Sequence, residues 1–289
     1  MPKYVVPFTE VEERTMIDLY AQGFALAYIS KIIGYDCSRI NRFLKKKGIR
    51  LRKRTEYHKY CVNNDYFETI DSKEKAAILG LLYADGCNDG KRNCVVISLH
   101  QRDKETLEIL RDCLDSDYKI KCYERQRNLR GKPHTEKVAA IYFFSKKMCD
   151  DLSKLGCVPR KSKIKKFPKL KDPELIKSFV YGYFLGNGCL CLRKDKSYIA
   201  TITSTKQMCI KFKKLFAKLG IKSCICLKKG SKNIRIIYVT GIKRVKIAMD
   251  WVFSGEMDLM KRKQDKYKEL VTTHNNRYPI TEPNLEKPS

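Results

Sequence analysis

Two stretches of this sequence decide the fold: ILGLLYADG at Ile78–Gly86 and VYGYFLGNG at Val180–Gly188. Each stretch combines an apolar helical segment with an internal glycine and ends on a polar residue before a second glycine. Asp85 aligns with Asn187, which lies 102 residues later. The shared spacing indicates an internal duplication.

The segments that follow the two stretches repeat in the same order. VVISLHQRDKETLEILRDCL at 95–114 matches YIATITSTKQMCIKFKKLFAKLG at 198–220, a strand followed by an amphipathic helix. Alternating segments predict two more strands in each half, and a last helix closes each half. The predicted fold is therefore α+β, a pseudo-twofold duplication of an αββαββα unit.

Composition points to a polyanionic partner. The 289 residues carry 61 Lys and Arg against 32 Asp and Glu, a net charge of +29, yet 43% are hydrophobic. Such a chain is too apolar for a disordered basic tail, and its positive surface favours nucleic acid. We expect no membrane span, because the longest apolar run falls far short of the roughly 20 residues required. We also expect no signal peptide, because residues 1–20 contain no apolar core segment.

The chain has 13 cysteines and no CxxC pair. Four scattered histidines add no zinc-type spacing. We interpret the cysteines as reduced thiols, which predicts an intracellular, reducing compartment.

The first fifty residues predict three short helices. Thr9 and Glu12 have capping-box spacing, and Asp36 or Ser38 can cap the third helix, which carries a basic face. Helix, short glycine turn and basic helix is typical of a helix-turn-helix. The alternative is a small helical bundle with a solvated basic face.

The two repeated stretches resemble the motifs of LAGLIDADG homing endonucleases over about residues 64–272. YISKIIGYDCSRINRFLKKKGI, at 28–49, resembles resolvase-type helix-turn-helix domains. The resemblance implies a monomer whose two motif helices pack together and whose saddle-shaped antiparallel sheets lie in the major groove of double-stranded DNA. It also implies Mg²⁺-dependent cleavage of both strands at a long target site, as part of a mobile genetic element.

In this family the last acidic residue of each motif binds metal with the preceding carbonyl. The resemblance thus assigns Asp85 and Ala84 in the first half, and Asn187 and Gly186 in the second. Two carboxylates at helix C-termini repel each other unless a cation intervenes. Asn187 lacks that charge, which leaves three explanations open: an engineered substitution, a natural nickase, or lost cleavage with retained binding.

The family also places a basic residue near each scissile phosphate, which corresponds to Lys161 and Lys263. Either lysine could stabilise the transition state, or simply contact a phosphate. Gln101 matches a polar position that organises active-site water. The expected catalytic set is therefore Asp85, Asn187, Lys161, Lys263 and Gln101.

Basic residues in the third helix, the following tract and the predicted strands are the expected DNA contacts. They are Arg39, Asn41, Arg42, Lys45, Arg52, Arg92, Arg102, Arg125, Arg127, Arg193 and Lys228.

The predicted organisation has five parts and no obligate protein partner. It consists of a helix-turn-helix at 1–49, a basic linker at 50–66, the two halves at 67–168 and 169–272, and an extended tail at 273–289. Two other functions stay open: a catalytically inactive DNA-binding regulator, and an RNA maturase on the same fold.

Overall fold

The computed structural model describes residues 7–21, 24, 26–51, 60–129, 131–254 and 257–278. The chain divides into two compact units, the first ending at Cys61 and the second beginning at Val62. No helix in these ranges is long and apolar enough to cross a membrane.

The first unit contains three helices, as the sequence predicts: α1 (Glu10–Ala21), α2 (Leu26–Ile33) and α3 (Cys37–Lys46). Thr9 and Glu12 exchange the two hydrogen bonds of a capping box. The Asp36 carboxylate accepts from the Ser38 and Arg39 amides at the start of α3. A small apolar core joins the helices: Met16, Tyr20, Ile29, Ile40, Phe43 and Leu44.

The second unit contains the predicted duplication, which confirms the α+β class. The first half consists of α4 (Lys73–Asp85), β1 (Gly86–Asp89), β2 (Cys94–His100), α5 (Lys104–Cys113), β3 (Lys121–Leu129), β4 (Lys132–Phe144) and α6 (Lys146–Lys154). The second half consists of α7 (Pro173–Asn187), β5 (Gly188–Leu192), β6 (Tyr198–Thr205), α8 (Lys206–Lys218), β7 (Cys224–Leu227), β8 (Ile234–Thr240) and α9 (Ile242–Phe253).

Each half forms one four-stranded antiparallel sheet with the same topology. The strand orders are β1-β2-β4-β3 and β5-β6-β8-β7. Since both halves use one connection pattern, equivalent residues of the repeat occupy equivalent places.

The helices α4 and α7 pack directly against each other along buried faces. Gly80 touches the Phe179 carbonyl so closely that a Cβ would overlap it, and Gly182 meets the Ala77 carbonyl in the same way. Backbone-to-backbone contact is possible here because neither glycine carries a side chain. This close approach brings the two helix ends together.

Two boundaries differ from the prediction. The predicted linker at 50–66 ends too late, because the Asn63 amide donates to the Leu114 carbonyl and Tyr66 is buried. Residues 273–277 are helical and not extended, since α10 (Lys261–Arg277) continues through them. No glycine or proline interrupts the segment before Pro279, so the helix has no reason to stop earlier.

Candidate functional site

The candidate site lies where α4 and α7 end. Asp85 is the last residue of α4 and Asn187 the last of α7. A Cβ placed on Gly186 would lie 2.8 Å from Asp85 Oδ2 and would overlap the Ala84 Cβ. The Asp85 carboxylate therefore lies against the α7 backbone, one residue from Asn187. The four residues predicted to bind metal are thus neighbours.

Lys161 and Lys263 reach the same two helix ends from outside. Lys161 lies in a one-turn 3-10 helix and donates to the Gly86 carbonyl. Lys263, on α10, donates to the Gly188 carbonyl at 2.7 Å and to the Phe184 carbonyl at 3.0 Å. The two lysines are equivalent in the repeat and make equivalent contacts. Each cation offsets the negative end of a helix.

Two cations at the site were missed by the sequence analysis, and the first is Lys165. Its Nζ donates to the Tyr83 carbonyl at 3.0 Å and lies 4.8 Å from the centre of the Tyr183 ring. Lys165 therefore contacts both motif helices. The equivalent residue in the second half is Tyr267, which is uncharged, so comparing the two halves did not indicate a cation at Lys165.

The second missed cation is Arg262, beside Lys263 on α10. Its Nε donates to both oxygens of the Asp103 carboxylate, at 2.8 and 3.0 Å. Asp103 belongs to the first half, so this ion pair joins the C-terminal helix to the opposite half. Asp103 is 3% exposed at its side chain, which makes a paired carboxylate expected there.

Asp85 is solvent-exposed, yet protein surrounds it closely on the other sides. This enclosure raises the pKa of Asp85 above its usual value. Four cations oppose the shift: Lys263, Lys165, Lys161 and Arg262. One carboxylate thus faces an excess of positive charge.

The lysines respond to the same enclosure. Burial, together with a neighbouring cation, lowers the pKa of Lys165 and of Lys263 to about 8 in each case. Asp85 works in the opposite direction on both. The pKa of each lysine therefore lies closer to neutral pH than that of a solvent-exposed lysine.

A polar cleft of about 190 Å³ opens beside Asp85. It extends over the first sheet and is lined by Ser98, His100, Asp103, Arg125, Glu136 and Arg262, among others. Gln101 lies next to this cleft, exposed in a one-turn 3-10 helix after β2. Its predicted role in ordering water stays a prediction.

The donor set can be compared with what a divalent cation needs. The described residues contain no group of three or more His, Cys, Asp or Glu suited to a metal ion. The neighbouring helix ends offer one carboxylate, from Asp85, and the backbone of Ala84 and Gly186, while the Asn187 side chain hydrogen-bonds with Tyr183. Such hard oxygen donors fit a single Mg²⁺ ion that takes further ligands from water and phosphate. They do not provide a second charged ligand.

The open face of the first sheet carries several of the predicted DNA contacts. Arg125 and Arg127, on β3, share the Glu136 carboxylate at 2.7 and 3.2 Å. Arg92 lies in the turn between β1 and β2 and pairs with Asp89 at 2.6 Å. Arg102 is exposed after β2. Arg92, Arg125 and Arg127 are fixed at the surface by these carboxylates and keep further N–H groups to donate.

The second sheet places its predicted contacts at the ends of strands. Arg193 follows β5 and Lys228 follows β7, and both are exposed. Both lie in hairpin loops, beyond the paired strands, where a cation can reach a phosphate.

The first unit presents its predicted contacts on α3. Arg42 and Lys45 are exposed and Asn41 is half-buried. The Arg39 guanidinium lies between two rings, 4.5 Å from the centre of Phe8 and 4.1 Å from that of Tyr35. This stacking makes Arg39 part of the unit's own packing. Arg52 lies outside the described residues.

Comparison with known proteins gives limited likenesses. No family model matches the sequence. An A-type ATP synthase subunit from Pyrococcus abyssi (strain GE5 / Orsay) is 28% identical over 163 residues, which is 55% of this chain and 14% of that protein. The chain spans only this small share of the relative, so the activity of the whole enzyme does not carry over.

Solved structures with a similar fold include one DUF199/WhiA protein and two homing endonucleases. Full-length DUF199/WhiA from Thermatoga maritima is 19% identical, covering 77% of this chain and 67% of that one, with a TM-score of 0.44. The I-LtrWI LAGLIDADG homing endonuclease bound to target DNA is 13% identical, covering 76% and 94%, with a TM-score of 0.45. The I-SmaMI LAGLIDADG homing endonuclease bound to cleaved DNA is 11% identical, covering 70% and 90%, with a TM-score of 0.47. None of these likenesses assigns an activity to this chain.

Proposed function

We propose that this chain binds double-stranded DNA at a specific site and cleaves one of its strands, through a nuclease centre with one acidic half. The observation that carries the proposal is the asymmetric pair of helix ends. Asp85 supplies a carboxylate at one end, while Asn187 supplies an uncharged amide at the other. Lysines surround both.

DNA binding is supported by charge and shape together. The first sheet's open face carries Arg125 and Arg127 on one strand, and alternate side chains of a strand can read bases in the major groove. The net charge of +29 favours binding to the phosphate backbone. The basic face of α3 offers a second contact surface of the same sign.

Asp85, Asn187 and the Ala84 and Gly186 carbonyls would hold the divalent cation. A bound Mg²⁺ polarises phosphate oxygens and lowers the pKa of the attacking water. The excess of positive charge around Asp85 disfavours cation binding before DNA arrives. Because a phosphodiester carries negative charge into this site, we expect metal and DNA to bind together.

The lysines have separate tasks in the proposed reaction. Lys161 uses one N–H group on the Gly86 carbonyl and keeps two others that can donate to a phosphate. Such donors stabilise the charge that develops on phosphorus-bound oxygens in the transition state. Lys165 and Lys263, with pKa values of about 8, can take up or release a proton near neutral pH.

A cleavage assay tests the proposal. Supercoiled DNA carrying a site selected by binding is incubated with Mg²⁺ and the natural chain, Asn187→Asp or Asp85→Asn. We expect open circles from the natural chain, linear DNA from Asn187→Asp, and intact DNA from Asp85→Asn. Mapping the nick should place it on a single strand.

A second function, DNA-binding regulation without cleavage, is favoured by Asn187 itself, which removes a charged ligand. If the natural chain and Asn187→Asp both bind the selected site tightly and neither nicks it, this second function replaces the first. Tighter binding to structured RNA than to any duplex would instead favour the maturase alternative.

A further inference from the structure

Two cysteine side chains contact each other at the edge of the candidate site. Cys189 and Cys191 occupy alternate positions on β5, so both lie on the open face of the second sheet. Their sulfur atoms are 2.9 Å apart. In the first half the equivalent positions are Cys87 and Asp89, so the pair is specific to the second half.

The cavity beside Cys189 is cationic. It has a volume of about 210 Å³ and is lined by Cys189, Gly186, Gly188, Arg262, Lys263 and Lys266. Three positive side chains next to a thiol attract small anions that carry a disulfide, such as oxidised glutathione. Cys191 lies two residues further along β5, within reach of the Cys189 sulfur.

We propose that Cys189 and Cys191 form a reversible disulfide when the chain meets a small anionic disulfide, and that this bridge weakens DNA binding. In the first step the Cys189 thiolate attacks the reagent and releases one thiol, leaving a mixed disulfide. In the second step Cys191 attacks the Cys189 sulfur and releases the second thiol. Two protein thiols are oxidised and one reagent disulfide is reduced, so the electrons balance.

The bridge would act on the site through β5. Residues two apart on a strand are separated by about 6.4–6.8 Å between Cα atoms. Bridged cysteines favour about 5.5–6 Å. The strand spacing lies at the upper end of the roughly 4.4–6.8 Å that disulfides usually span, so closing the bridge favours a shorter β5 around Leu190. The strand begins at Gly188, whose carbonyl accepts from Lys263 at 2.7 Å, so the strain falls on a contact of the candidate site.

Peptide mapping tests the bridge. The reduced full chain is incubated with oxidised glutathione, quenched in acid, alkylated and digested with trypsin. The peptide SFVYGYFLGNGCLCLR (178–193) contains both cysteines, and SCICLK (223–228) contains Cys224 and Cys226 at the same spacing on β7. We expect the first peptide to lose both alkylation sites and to regain them after reduction, while the second keeps both.

The variant Cys191→Ser provides the mechanistic control. It should leave Cys189 as a stable mixed disulfide, because no second thiol displaces the glutathione. Cys224→Ser should change nothing in the 178–193 peptide. Full alkylation of Cys189 and Cys191 in the natural chain, matching that of Cys224 and Cys226, would overturn the proposal.

The effect on DNA rests on the proposed function and is measured separately. Fluorescence anisotropy on the selected site should show affinity reduced about fivefold or more after oxidation and restored by a reductant. An unchanged affinity of the bridged chain would overturn this part. Absence of DNA binding by the reduced chain would overturn the proposed function, while peptide mapping still decides whether the bridge forms.

Discussion

Asp85 is held at an electrostatically unfavourable place, the negative end of a helix within a protein enclosure. The pKa of the Asp85 carboxyl is higher in the folded chain than in the unfolded chain. The folded state therefore loses stability as pH rises from the unfolded-chain pKa of this carboxyl through its folded-chain pKa. We expect Asp85→Asn to melt higher than the natural chain at pH 7 without metal. Because Asp85 is solvent-exposed, the gain should stay below about 3 °C.

The pH series supplies the control for that change. Below the usual pKa of an aspartate, both the folded and the unfolded natural chain are protonated at Asp85. The difference between the two melting temperatures should therefore shrink towards pH 4. A difference that is constant from pH 4 to pH 7 would show that charge at Asp85 is not its cause.

Lys165 should give the opposite dependence on pH. Its pKa is lowered to about 8, so at pH 7 the folded state must hold a buried charge. The stability that depends on Lys165 is fully present above the pKa that this lysine has in the unfolded chain. It is lost as pH falls through the lower pKa of Lys165 in the folded chain. We expect Lys165→Met to be less stable by about 1–3 kcal/mol, since the Tyr83 carbonyl loses its donor.

Denaturant titrations at pH 7 and pH 10 measure this linkage. The stability gap between the natural chain and Lys165→Met should widen towards pH 10. Lys163→Met, an exposed lysine in the same segment, is the matched control and should show no such trend. A gap that narrows towards pH 10 would contradict the assignment.

The sequence located part of this site and missed the rest for a definable reason. Asp85 and Asn187 were found from the repeat, in which they lie 102 residues apart. Lys161 and Lys263 were assigned from the resemblance to LAGLIDADG homing endonucleases. Lys165 has no equivalent cation in the other half, and Arg262 is placed by an ion pair between opposite halves. Contacts that break a repeat leave no periodic signal, so only the folded chain reveals them.

The helix pair α4 and α7 depends on two glycines. Gly80→Ala would drive a methyl group into the Phe179 carbonyl, and its Cβ would also lie 2.7 Å from the Tyr183 amide nitrogen. Backbone atoms cannot move aside as a flexible side chain can, so the helices must separate. We expect Gly80→Ala to destabilise the chain by about 3 kcal/mol or more in chemical denaturation.

A matched glycine outside the helix pair separates this effect from the glycine-to-alanine change itself. A Cβ on Gly90 would find only the Pro159 ring, at an ordinary 3.9 Å. Gly90→Ala should therefore leave stability within about 0.5 kcal/mol of the natural chain. Equal losses in the two variants would refute close packing as the cause.

Strands and helices were predictable where periodicity was clear. The alternation in VVISLH and in IRIIYVT predicted β2 and β8 in the structure, because one face of each strand is buried. The end of α10 was not predictable in the same way. Residues 273–277 are mostly polar and exposed, so they carry no apolar stripe that would mark a helix.

Over the whole duplicated unit, the two halves share topology but differ in surface chemistry. The first sheet's open face carries Lys121, Tyr123, Arg125 and Arg127 on alternate positions of β3. In the second sheet, the row formed by Cys189, Thr201, Tyr238 and Cys224 contains no charged residue. Since uncharged side chains neutralise no phosphate but can contact base edges and methyl groups, the halves should contribute differently to binding.

This asymmetry predicts different responses to salt. If the first sheet neutralises phosphates, Lys121→Gln combined with Arg127→Gln should weaken binding to all sequences. It should also reduce the slope of log affinity against log salt by about one to two. The matched second-sheet variant, Thr201→Val with Tyr238→Phe, should keep the slope and change the preferred bases instead. Anisotropy titrations at several salt concentrations, with binding-site selection for each variant, measure both quantities. Equal slope changes in the two variants would mean that both sheets contact the backbone alike, and the difference between their open faces would then have no role in recognition.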